Sequence, residues 1–184
     1  AATIASLSTA QIAAFSTAAI AAMTTQQIAA LSTAQAEALT KSQIAALGSN
    51  QLAAFGPDDI ATFSVQEMGA ITSSALPGLS TDAIAALSTA QIAGLSSTSI
   101  PGLSTKQITA LNAAQAEALT TSQIGAFSAT QLAAFSTDEI ATFATREIAA
   151  IGADAITGLS TATIASLSTA QIAALSTAAI GGLE

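Results

Sequence analysis

Large apolar residues fall along this chain at alternate spacings of three and five, so the same hydrophobic pair returns in every octad. From Ser8 onward the sequence divides into octads of the form S-T-x-Q-I-x-A-L. The eighth position is always large and apolar, as in Leu7, Phe15, Met23, Leu31 and Leu39, and the series runs on to Leu183. The fifth position is Ile, Leu or Met except at Ala36 and Ala116, and the seventh is always small. The first is Ser, Thr, Gly or Asn everywhere except Ala144.

Three structures compete for this period. On one continuous helix, each residue adds about 100°, which turns the Ile/Leu pair by roughly 80° per octad, so no stripe would face a partner. A β-solenoid needs alternation at every second residue and β-branched or aromatic side chains. The chain instead sets its large residues among Ala and Gln, which favour helix. The remaining structure is a short helix restarted in every octad.

Local chemistry favours that third structure. Ser at the first position is a preferred N-cap, and Gln, Glu or Asp three residues later matches the partner of a capping box. Ser32 with Gln35, Ser64 with Glu67 and Ser136 with Glu139 show the pattern. The Leu before each cap and the Ile at the fourth helical position form a hydrophobic staple. In Gly56-Pro57-Asp58-Asp59, Pro stands at the first helical position, with acids beside the positive end of the helix dipole. Helices this short are unstable alone, so their Ile/Leu faces must be buried against neighbouring octads. The expected fold is all-α: a tight solenoid of very short capped helices, one per octad.

A longer period lies on top of the octad. Residues 31–63 match 111–143, ten octads further on, and the irregularities travel with the match. Ala36-Glu37 recurs as Ala116-Glu117, and Phe55 and Phe63 recur as Phe135 and Phe143. The whole chain, 1–184, reads as one repeat array with copies at 8–87 and 88–167 and a third beginning at Ser168. The third copy stops at Glu184, which implies a longer array. The segments Leu76-Pro77-Gly78-Leu79 and Ile100-Pro101-Gly102-Leu103 stand three octads apart. Gly158 and Gly181-Gly182 hold equivalent places later. Pro there removes a helical N–H and shortens the helix, and the spacing points to about three octads per coil.

Composition narrows the chemistry. Half the residues are hydrophobic, but charged residues are only 8%, and Cys, His, Trp and Tyr are missing. Eleven Asp and Glu against only three basic residues, Lys41, Lys106 and Arg146, leave a net charge of −8, and the basic residues are too few and too scattered for nucleic acid. Mean hydropathy is positive (+0.63), yet Ser, Thr or Gln interrupts every octad, so no run of about 20 apolar residues exists to insert into a membrane. No basic and then apolar segment opens the chain, so any targeting signal is expected to lie outside it or to have been removed.

Candidate sites are few. The Ser and Thr hydroxyls lack a His base to activate them, so no catalytic residue is assigned and no enzymatic activity is expected. The carboxylates Asp58, Asp59 and Glu67, with Asp138, Glu139 and Glu147 in the next copy, are the best metal candidates. They lack the Asp/Gly-rich calcium pattern and read as first-turn helix acids, so no metal ligand is assigned. Haem would find only Met23 and Met68 as ligands, and Met23 holds a core position, so no cofactor is expected. The Phe residues of the eighth position read as core. Thr recurs at the second position, and stacked coils would bring it into rows that could meet ice, a polymer or a sister fibre.

The octad, as in "STAQIAAL" at 168–175, resembles repeats of very large bacterial secreted or surface-anchored proteins, often adhesin-like and sometimes labelled haem-utilisation proteins. The resemblance covers essentially the whole chain. It implies an extracellular or cell-surface setting and a stalk, fibre or filament role; the haem label transfers no residue. Both ends keep the octad, so self-association end to end, or continuation of one longer array, is the expected partnership.

Overall fold

The computed structural model describes residues 2–181, the side chains of residues 2, 3, 177 and 178 excepted. Leu183 and Gly182, assigned to the repeat above, lie outside it. Among the described residues there is no strand, and helices of four to six residues succeed one another, as in Thr33–Glu37, Lys41–Ala45 and Thr137–Thr142. The capping box forms as expected. Ser32 Oγ accepts the Gln35 N–H at 3.3 Å, while Gln35 Oε1 accepts the Ser32 N–H at 2.9 Å.

Each restart uses one extended residue. Ser32 has φ −75° and ψ 159°, and Ala144, which has no capping oxygen, takes nearly the same angles (−66°, 160°). Among the described residues no φ is positive, so these helices do not end in a left-handed cap. The octads at Thr72 and Ser96 depart as Pro77 and Pro101 dictate: only the 3₁₀ turns Leu76–Gly78 and Ile100–Gly102 remain.

The coils then stack. Thr33–Glu37 packs on Thr9–Ala13 and on Pro57–Ala61, each three octads away, and the same relation recurs along the chain. The hydrogen bonds that Gln43 makes between coils reach back 28, 30 or 31 residues, into the fourth octad before. A coil therefore closes between three and four octads, slightly wider than the Pro-Gly spacing indicates. The small seventh position is where coils approach most closely. A Cβ on Gly78, Gly102 or Gly158 would overlap the backbone carbonyl of Ser49, Ser73 or Ala129 respectively. Gly181, expected to be equivalent, has nothing near it.

One continuous core runs through the coils. Fifth-position side chains such as Ile44, Ile84 and Ile124 are wholly buried, contributing about 1.5–3 kcal/mol each. The two apolar positions face opposite ways along the axis. At the first coil Ile12 and Ile20 are buried while Phe15 and Met23 are only half-buried; at the last, Leu167 and Leu175 are buried while Ile172 and Ile180 are exposed. The fifth position is thus covered by the following coil and the eighth by the preceding one. Edge-on contacts link Phe55 to Phe63 (5.7 Å) and Phe135 to both Phe127 (5.3 Å) and Phe143 (5.7 Å), placing these rings in the core as expected.

Candidate functional site

The fourth position of the octad carries the most chemistry, and it works in two directions. Its carboxamide oxygen caps its own helix. Its nitrogen crosses to the coil before: Gln43 Nε2 donates to Ile12 O and Phe15 O, both at 2.9 Å. Gln51, Gln107, Gln115, Gln123 and Gln131 repeat this on the carbonyls 31 and 28 residues back. These amides are buried, and burial without partners would be costly. Here oxygen and nitrogen are both satisfied, and no buried side-chain polar atom among the described residues lacks a partner. Gln11, in the first coil, is exposed and forms only the capping box.

Sequence reasoning sees the capping box and misses the bond between coils. One signal was available: Gln outnumbers Asp and Glu at the fourth position, although a carboxylate caps equally well. Of these three, only Gln combines an acceptor with a donor.

The candidate carboxylates occupy the same position or the one before it. Asp59 Oδ2 accepts the Gly56 N–H at 3.1 Å, Glu67 Oε2 the Ser64 N–H at 2.7 Å and Glu139 Oε2 the Ser136 N–H at 2.7 Å. Glu147 is buried; its Oε2 accepts the Ala144 N–H at 2.7 Å and its Oε1 lies 3.4 Å from Arg146 Nε. Asp58 and Asp138 are exposed in the first turns of their helices. The structure thus spends these acids on helix N-termini. It brings no three of the described Asp and Glu residues into a metal-sized group. Met68 is fully buried at a fifth position, and Met23 packs on the core.

The second-position hydroxyls are mostly exposed, and stacking brings Thr81 and Thr105 to one crevice. Thr81 and Thr105, three octads apart, line a shallow crevice of about 400 Å³ with Lys106, Thr109 and Ala110. The rows are mixed, however: octads three apart place Pro57 between Thr33 and Thr81, and Lys41 and Val65 between Thr17 and Thr89.

A repeat this regular is open to comparison with known families. The chain matches the ALTTAQ repeat over residues 4–41, 66–97, 100–129 and 148–184, most of its length. The protein belongs to the ALTTAQ repeat family. Ala86-Leu87-Ser88-Thr89-Ala90-Gln91 shows what the six letters mean in an ALTTAQ coil. They run from the small residue at the coil contact, through the core Leu and the N-cap, to the Gln that bonds the coil before. No curated protein matches the chain. Among the described residues of this ALTTAQ array, no helix is long and apolar enough to cross a membrane.

Proposed function

We propose that this ALTTAQ array is a structural spacer: a stiff rod serving as stalk, fibre or filament in a secreted or surface-anchored bacterial protein. The observation that carries the reading is the Gln ladder, which bonds coils together at Gln35, Gln43 and Gln51 and again at Gln91, Gln107, Gln115, Gln123 and Gln131, while the continuous apolar core joins the octads between. Any number of octads can be added without a new kind of contact, and where the ladder runs it resists bending because a hinge there would strip buried amides of their carbonyls. The opposed faces of a coil give the rod a direction, so a further coil or a second copy adds head to tail through fifth-position Ile against eighth-position Leu, Phe or Met. Only three Lys and Arg residues offer themselves to trypsin-like proteases, which suits an extracellular setting. The residue types present supply no activated nucleophile, in keeping with a role that is not enzymatic.

The test is a series of arrays of increasing octad number, measured by small-angle X-ray scattering. A spacer gives a maximum dimension that grows linearly with octads at constant cross-section. Growth as the square root of length, as for a flexible chain, would remove the proposal. Antibody labelling of intact against permeabilised cells tests the surface location.

A further inference from the structure

The Gln ladder stops and restarts twice along the chain. Before the first break Gln51 donates to Ile20 O and Met23 O, both at 2.9 Å, and after it Gln91 donates to Phe63 O at 2.8 Å. The four octads between carry Asp59, Glu67, Ala75 and Ala83 at the fourth position. Ten octads on, the break returns. Gln131 donates to Ile100 O and Leu103 O at 2.8 Å, Gln171 donates to Phe143 O at 2.8 Å, and Glu139, Glu147, Ala155 and Thr163 stand between.

These residue types do not make the bond between coils. Ala has no polar side-chain atom. The carboxylates are acceptors only, and each spends an oxygen on the N–H of its own N-cap residue. Thr163 Oγ1 lies 2.8 Å from Ser160 Oγ and 3.3 Å from Thr137 Oγ1. Among the described residues, that Thr137 contact is the one side-chain hydrogen bond between coils made within either break.

The length of the break decides its effect. Ladder bonds reach back 28 to 31 residues, and four octads outlast that span. Each break therefore runs around a complete coil, and carbonyls such as Leu31 O, Leu47 O, Leu119 O and Phe135 O receive no side-chain donor from the coil above. Packing is also looser across the second break. One crevice of about 380 Å³ opens between Phe127 and Ala155, and another of about 260 Å³ between Phe135 and Thr163. What still crosses each break is the apolar core and one close backbone approach, Gly78 on Ser49 and Gly158 on Ala129.

We infer that each copy of the long repeat carries one opening plane, between residues 24–55 and 56–87 and again between 104–135 and 136–167, where the rod parts before it parts anywhere else. The closed rod keeps its length; under load or thermal motion the coils separate at these planes, pivoting on the Gly contact, while the laddered coils on either side stay joined. The planes belong to the array itself and stand whether or not it serves as a stalk.

The test is thiol labelling of the full chain, which has no Cys of its own. Ile92, Ile124 and Ile140 are buried at the same octad position, beneath Gln123, Ala155 and Gln171 respectively. Each is changed to Cys and reacted with an aromatic disulfide reagent under native conditions, where the rate reports local opening. Ile124→Cys is expected to react at least about tenfold faster than Ile92→Cys and Ile140→Cys. Fraying from the chain end would instead make Ile140→Cys the fastest, and that order, or three equal rates, overturns the plane. Adding Ala155→Gln should slow Ile124→Cys about tenfold, and an unchanged rate also overturns it. Should the Ile variants fail to fold, Ala116, small and buried beneath Glu147, decides the matter. Ala116→Cys should label about tenfold more slowly once Glu147→Gln is added, and no slowing overturns the plane.

Discussion

Gln123 Nε2 donates to Leu95 O at 2.8 Å across 28 residues, while Oε1 of the same side chain accepts the Thr120 N–H only three residues away. One carboxamide thereby starts a helix and fastens it to the coil before. The two jobs are separable by mutation.

Gln123→Ala removes both, and is expected to cost about 1–3 kcal/mol in urea unfolding. Gln123→Glu keeps the capping acceptor but sets a carboxylate against two carbonyls, so at neutral pH it should lower the melting point at least as far as Ala. A Glu variant as stable as wild type would mean that the bond between coils contributes nothing.

The reverse change should stabilise. Glu147 stands to Ala116 and Leu119 as Gln123 stands to Ile92 and Leu95, so a Gln in its place would reach Ala116 O and Leu119 O. The contact of Glu147 with Arg146, whose side chain is 78% exposed, is worth little. Glu147→Gln is expected to gain about 0.5–1.5 kcal/mol, read as a raised thermal midpoint.

Ala144 takes N-cap angles without a capping oxygen. Ala144→Ser would let a hydroxyl accept the Glu147 N–H, and the expected gain is about 1 kcal/mol. Circular dichroism melts compare the two directly.

Glycine should be irreplaceable only where coils touch. Gly102→Ala drives a Cβ into the Ser73 carbonyl and is expected to cost about 1–3 kcal/mol or more. Gly152→Ala meets nothing within 4 Å and should be nearly neutral. Equal effects at the two positions would contradict the coil spacing.

Ile92 and Leu95 are buried in the middle of the core. Either one changed to Asp places an unpaired carboxylate there, and hydrogen exchange should show the adjoining coils opening. Far-UV circular dichroism of the wild type should be helical, and a neutral effect of either Asp variant would refute the stacked core.

The sequence by itself determined what depends on neighbours within an octad. Ser32 and Gln35, Pro57, and the staple pairs act over one or two turns of chain, so helix starts, stops and the Pro77 and Pro101 interruptions were legible from residue type and spacing. The solenoid followed from one further argument, that such short helices cannot stand alone. Only the tertiary structure decided how far around a coil runs, which way Ile and Leu face along the axis, and what the Gln nitrogen bonds. It alone shows why Gly102 cannot carry a side chain while Gly152 can. Those relationships join residues of different coils, and the octad looks the same in every register until the coil closes. Gln115 and Ala155 stand at the same octad position, yet stacking makes one a bridge between coils and leaves the other beside an open crevice.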